Sequence, residues 1–135
     1  MYYYIDNIPK NISFKFLDEV LDFAQYYLGL DSDYIIKIVF LGDLGDTVWG
    51  YCNGLEDEDY VIEVSSKLSS GDIVETIFHE LVHVKQIIDG RLDDDGRTWK
   101  GKTYDTVKTP YKELPWEIEA FELQKLMANE FFSAK

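Results

Sequence analysis

The segment 72–89 constrains this chain more than any other. Ile73, Ile77, Leu81, Val84 and Ile88 recur at intervals of three and four, with Val74 and Phe78 beside them. That is the spacing of an apolar stripe along an α-helix. Asp72, with Glu75 three residues on, reads as a capping box, and Gly90 as the stop, so the predicted helix runs to about Asp89. At about 100° per residue, His79 and His83 project from the side opposite the stripe, together with Asp72, Thr76 and Gln86. Histidines kept for packing would sit in the stripe, so these two are expected to line a cleft. The chain has only two histidines, and this helix carries both.

Four residues make slightly more than one helical turn, so two imidazoles at that spacing can converge on a single ion. Glu80, next to the first histidine, completes an H-E-x-x-H pattern and can reach a water at the ion without being a ligand. A catalytic zinc usually takes three protein ligands, and no third histidine exists. Cys52 precedes the helix and could serve as a thiolate. Carboxylates are better candidates, and the segment Leu114–Phe121 supplies two of them. A final helix is predicted from about Trp116 to Phe132, with Pro115 suited to its first turn. Its stripe is Trp116, Ala120, Leu123, Met127 and Phe131. Glu117 lies about 60° from the centre of that stripe and Glu119 about 100° away. Glu117 therefore points more inward, where a carboxylate needs a partner; Glu119 is the other candidate.

The rest of the chain reads as mixed helix and strand. Residues 2–6 suggest a short strand, and Ser13–Leu28 a helix ended near Gly29. Tyr34–Leu41 is rich in β-branched and aromatic residues, Thr47–Tyr51 can return beside it, and Tyr60–Val64 follows an acidic turn at 56–59. The last of these strands is expected at the edge of the sheet, where an extended peptide could add to it. Between the two histidine- and glutamate-bearing helices lies a long polar connection, 91–114, of a length that is often functional. It could act as a flap. Asp93-Asp94-Asp95-Gly96 within it reads as a solvated acidic turn rather than a calcium loop, because Arg91 stands where a further ligand would be needed.

Composition narrows the function classes. With 135 residues, 46% of them hydrophobic, the chain can bury a core. Its net charge of −13 repels phosphate backbones and anionic lipid, so no nucleic-acid partner and no membrane partner is expected. One cysteine rules out an internal disulfide, which fits a reducing compartment. The start Met1–Asp6 does not look like a secretory signal, and no apolar run is long enough to span a bilayer. A cytoplasmic protein is expected.

His79-Glu80-x-x-His83 followed by Glu117-x-x-Ala120 resembles the gluzincin branch of the zincin metallopeptidases. The stretch His79–Gln86, Trp99-x-Gly101 and Pro115–Ala120 also resemble small metallopeptidase-like proteins of phages and bacteria, in which case the cytoplasm could be that of a host. The resemblance covers roughly residues 60–131. It implies one α+β zincin-like domain over 1–135, with a short, mostly antiparallel sheet, the active-site helix and a C-terminal helix supplying a Glu ligand. It implies a Zn2+ cofactor held by His79, His83 and Glu117, and a peptide or protein substrate. In that chemistry Glu80 is the general base, and Tyr111 or Tyr104 could supply the donor that stabilises the oxyanion. One position departs from the pattern. Gluzincins commonly carry an Asp four residues after the ligand Glu, to orient the first histidine, and here that residue is Phe121. The competing reading is a non-catalytic zinc-binding regulatory or interaction domain on the same fold.

Overall fold

A computed structural model describes residues 1–30, 34–42 and 60–134 and the backbone of 50–53. Strand β1 (Tyr2–Asp6) leads to helix α1 (Phe14–Leu28), followed by β2 (Ile35–Leu41), β3 (Gly50–Asn53) and β4 (Tyr60–Ser65). Helix α2 (Ser70–Ile88), the two-residue strands β5 (Thr98–Trp99) and β6 (Lys102–Thr103), and helix α3 (Pro115–Ser133) complete the chain. The helix boundaries follow local chemistry. Ser13 caps α1 by accepting from the Phe16 amide, and Gly29 ends it in the left-handed region at φ 68°. Helix α2 begins earlier than the Asp72–Glu75 pair suggests, because Ser69 is the residue whose hydroxyl accepts from the Asp72 amide. Pro115 occupies the first turn of α3, where its missing N–H is no loss.

The α+β class holds, but the sheet is not mostly antiparallel. Its order is β1-β2-β4-β3, with β1–β2 and β2–β4 parallel and β3–β4 antiparallel. Helix α1 lies between β1 and β2 in sequence and provides the crossover that parallel neighbours need. Strand β4 inserts between β2 and β3, so Tyr60–Ser65 is interior and β3 takes the edge expected for β4. The burial agrees, since Val61, Ile62, Val64 and Ser65 are all buried, as in an interior strand covered on both faces. Residues 47–49 of the expected return strand and the acidic turn at 56–59 lie outside the described residues.

The main core lies between the sheet and the helices. Leu17, Leu21, Ile38, Ile62, Ile77 and Leu81 are fully buried in it. Phe78 of α2 meets Phe23 of α1 at 5.7 Å and Phe131 of α3 at 6.0 Å between ring centres, so aromatic edges join all three helices. Helix α2 is enclosed on nearly every side. Its apolar stripe faces the core, and α3 covers the opposite side, so His79 and His83 are 6% and 8% exposed rather than lining an open cleft.

The 91–114 connection is anchored rather than free. Leu92, Trp99, Leu114 and Trp116 form a second small core, with Tyr104 packed against it. The Asp95 carboxylate accepts from the Arg97 and Thr98 amides and from the Thr98 hydroxyl, so its lone pairs close the turn before β5. Truncating Phe78 to Ala should remove the shared contact of the three helices and destabilise the fold by about 3–5 kcal/mol. Urea unfolding would measure it, and a loss below about 1 kcal/mol would contradict this packing.

Candidate metal centre

Helices α2 and α3 bring the two histidines, which stand opposite the α2 stripe, against Glu117, which leans inward on α3. His79 Nε2 lies 2.9 Å from Glu117 Oε1, His83 Nε2 lies 3.1 Å from the same oxygen, and the two Nε2 atoms are 3.2 Å apart. Glu117 is 6% exposed, so all three groups meet in a desolvated space. Ligand atoms on a tetrahedral ion with bonds of about 2.0–2.1 Å would be roughly 3.3 Å apart, and the observed triangle is close to that size. His79, Glu80 and His83 also form a compact group whose ligand-capable atoms lie within 4.8 Å of one another. Of the two carboxylates, Glu117 is the one whose oxygen sits directly against both Nε2 atoms. Glu80 remains beside the triangle.

Two glutamines fix the histidine tautomers. Gln124 Oε1 lies 2.6 Å from His79 Nδ1, and its amide nitrogen donates to Glu75 at 3.3 Å. Gln86 Oε1 lies 2.8 Å from His83 Nδ1, and its amide nitrogen donates to the Trp116 carbonyl at 3.0 Å and to Glu119 at 3.1 Å. Only an NH2 group can donate to those carboxylates and that carbonyl, so each glutamine must turn its oxygen to a histidine. Each Nδ1 then carries the hydrogen, and in a neutral ring each Nε2 presents a lone pair. Two lone pairs and a carboxylate oxygen converging at about 3 Å in a buried space need a cation or a proton between them. The donor set therefore fits a divalent metal ion.

The electrostatics show where a proton goes when no ion is there. Burial alone would raise the Glu117 carboxyl, but hydrogen bonds from His79 and His83 override it and hold it at about 2. Burial opposes charging His83, yet the hydrogen bond and charge of Glu117, with the charge of Glu80, lift it above its ordinary 6.5. Glu80 is raised from 4.5, chiefly by burial, with the histidines pulling it the other way.

Of the two tyrosines, Tyr111 is at the site and Tyr104 is not. Tyr111 stands on a short 3-10 turn (Tyr111–Glu113) just before α3, and its hydroxyl donates to Glu117 Oε1 at 2.9 Å. Burial, then the Glu117 charge, keeps that phenol protonated well above its usual range. Tyr104 instead packs edge-on to Trp116 in the second core, 5.5 Å between centres. Phe121 stands four residues after Glu117. Its ring packs on His79 at 4.6 Å, and Gln124, one turn further along α3, makes the hydrogen bond at His79 Nδ1. Glu119 is engaged by Arg91, whose Nη1 is 2.7 and 2.9 Å from its two oxygens, which excludes it from the triangle. The side chain of Cys52 lies outside the described residues.

Sequence reasoning did not assign the glutamines. Gln86 was on the histidine face with no role, and Gln124 stands seven residues after Glu117, two helical turns along the same face; that spacing was the available signal. Comparison with protein-family models, with curated proteins and with solved structures gives no match.

Two outcomes follow. Glu117→Ala should weaken zinc binding much more than Glu119→Ala in chelator competition, and the reverse order would move the third ligand. The pH dependence has a definite sign. The contribution of Glu117 is present above about 4.5 and lost as pH falls towards 2, whereas that of His83 is full below 6.5 and lost as pH rises through its raised value. Glu117 and His83 together should therefore stabilise the metal-free protein most between about pH 4.5 and 6.5, with Glu80, raised from 4.5, subtracting as pH climbs above that value. The extra stability given by zinc should grow as pH rises above 6.5 and the competing proton leaves. Melting temperatures with and without zinc would show it; a zinc increment that shrinks with rising pH would count against the assignment.

Proposed function

We propose that this chain is a zinc-dependent metallopeptidase, its metal held by His79, His83 and Glu117. The observation that carries the reading is the buried convergence of two Nε2 lone pairs and one carboxylate oxygen, with a further carboxylate, Glu80, beside them. Two imidazoles with one carboxylate suit zinc better than calcium or magnesium, which prefer all-oxygen sites. When bound, the zinc supplies Lewis acidity towards water and a scissile carbonyl.

The protein's own groups do the rest. Glu80, raised by burial, is a stronger base than a solvated carboxylate, suited to taking a proton from water and passing it to the leaving amine. Tyr111 keeps its proton and turns its hydroxyl inward, so it can donate to a developing oxyanion. Phe121 and Gln124 hold the His79 ring from its face and its Nδ1 edge. The net charge of −13 favours a peptide or protein substrate over a nucleic acid. No helix among the described residues is long and apolar enough to cross a membrane. A cytoplasmic setting, that of a host cell for a phage-encoded protein, belongs to the same proposal.

A specific observation favours a second reading, a non-catalytic zinc-binding regulatory or interaction domain. All three ligand residues and Glu80 are 6–8% exposed, and closed sites are characteristic of structural zinc. Glu80→Gln separates the two readings. The variant should keep its zinc while cleavage of a broad peptide library falls by roughly 10²–10⁴-fold. Zinc bound equally by both proteins, with no cleavage by either, supports the binding domain. No zinc bound by the wild type, as purified or after addition, overturns both.

A further inference from the structure

Hydrogen bonds lead from the metal centre to a surface ion pair at the other end of α2. His83 Nδ1 meets Gln86 Oε1 at 2.8 Å, Gln86 Nε2 donates to Glu119 Oε1 at 3.1 Å, and Arg91 Nη1 grips both Glu119 oxygens. Gln86 is fully buried, so nothing but protein directs its amide. Its backbone carbonyl in turn accepts from the Arg91 and Leu92 amides at 3.0 and 3.2 Å. Arg91 is itself held in place. Its guanidinium lies 5.2 Å from the centre of the Trp99 ring, and its carbonyl accepts from the Lys100 amide at 2.7 Å. The β5–β6 hairpin thus fixes Arg91, which fixes Glu119, which orients Gln86 against the ligand histidine.

We infer that Arg91 is a positioning residue of the metal centre, acting on His83 through Glu119 and Gln86. The inference rests on the metal-binding reading above and goes beyond it by making metal affinity depend on the 91–103 hairpin. The need for Arg91 follows from the geometry. Trp116 O fixes one amide hydrogen of Gln86 and Glu119 the other. A carboxylate on a helix surface would turn towards water without a cation whose nitrogen lies against both of its oxygens. With Glu119 released, the Gln86 amide loses one of the acceptors that keep its oxygen on His83, and the ring loses the partner that sets its tautomer and direction.

The test has a sign that simple electrostatics cannot imitate. Arg91→Met removes a positive charge near a cation site, which by Coulomb's law should tighten cation binding. Positioning demands the opposite. Loss of direct histidine partners typically costs 10–100-fold in metal affinity, so a partner two steps removed should cost roughly 3–10-fold. Lys100→Met is the control. Lys100 lies over the same Trp99 ring, 5.6 Å from its centre, and acts on Glu119 through charge, but its side chain, the part the substitution changes, makes no hydrogen bond in this chain of contacts. Zinc dissociation constants would be measured by chelator competition on the full chain, with the visible spectrum of the cobalt-loaded protein as a second readout.

The expected result is weaker zinc binding and a changed cobalt spectrum in Arg91→Met, with affinity unchanged or slightly tighter in Lys100→Met. In a Gln86→Met background, Arg91→Met should have no further effect, because the connection is already cut. If Gln86→Met does not fold, a Glu119→Ala background replaces that arm; it cuts the connection between Arg91 and Gln86, and Arg91→Met should have no further effect there. Equal or tighter zinc binding by Arg91→Met overturns the inference while leaving the metal centre standing. A wild type that binds no zinc overturns the metal reading itself.

Discussion

The packing of α3 across the polar side of α2 is the constraint on which the site depends. Alone, α2 would present two histidines and a glutamate to water, where hydration satisfies them. Covered by α3, the same groups lose that hydration and gain Glu117, placed against both Nε2 atoms at 2.9 and 3.1 Å. A buried carboxylate facing two lone pairs is unfavourable unless positive charge lies between them. The aromatic contacts of Phe78, Phe23 and Phe131 fix how closely the two helices approach. Those contacts sit in the core, away from the triangle, and tie both helices to α1 as well as to each other.

Orientation is handled differently for the two histidines. His79 is held within the α2–α3 pair, by Gln124 and by the Phe121 ring. His83 is held through Gln86, whose other contacts reach the start of α3 and the ion pair of Glu119 with Arg91. In both cases an uncharged amide replaces the carboxylate often found behind a ligand histidine. An amide oxygen fixes the tautomer without adding negative charge, which suits a site where Glu117 and Glu80 already carry two carboxyl groups.

Much of this was legible in the sequence because it depends on periodicity. The spans of α1, α2 and α3, the pairing of His79 with His83 and the inward bias of Glu117 over Glu119 all follow from residues three, four or seven apart. The sheet was less legible. Strand segments could be found, but their order depends on which neighbours meet, and β4 entering between β2 and β3 reversed the expectation of a mostly antiparallel sheet with Tyr60–Val64 at its edge. Nor could the polarity of the 91–114 connection show that Leu92, Trp99, Leu114 and Trp116 would gather into a core of their own.

The sequence by itself determined the chemistry on offer, two imidazoles and a carboxylate on one helical face and a second carboxylate leaning inward on another, because helix geometry is local and fixes which side chains share a face. Only the tertiary structure decided that these faces would bury each other, that Gln86 and Gln124 would stand behind the histidines, and that Tyr111 rather than Tyr104 would reach Glu117. The meeting of the helices and the anchoring of both glutamine amides depend on contacts between residues some 30 to 50 positions apart, and such distances are set by packing rather than by the pattern of any one segment; Tyr111 reaches Glu117, six residues on, from the 3-10 turn before α3.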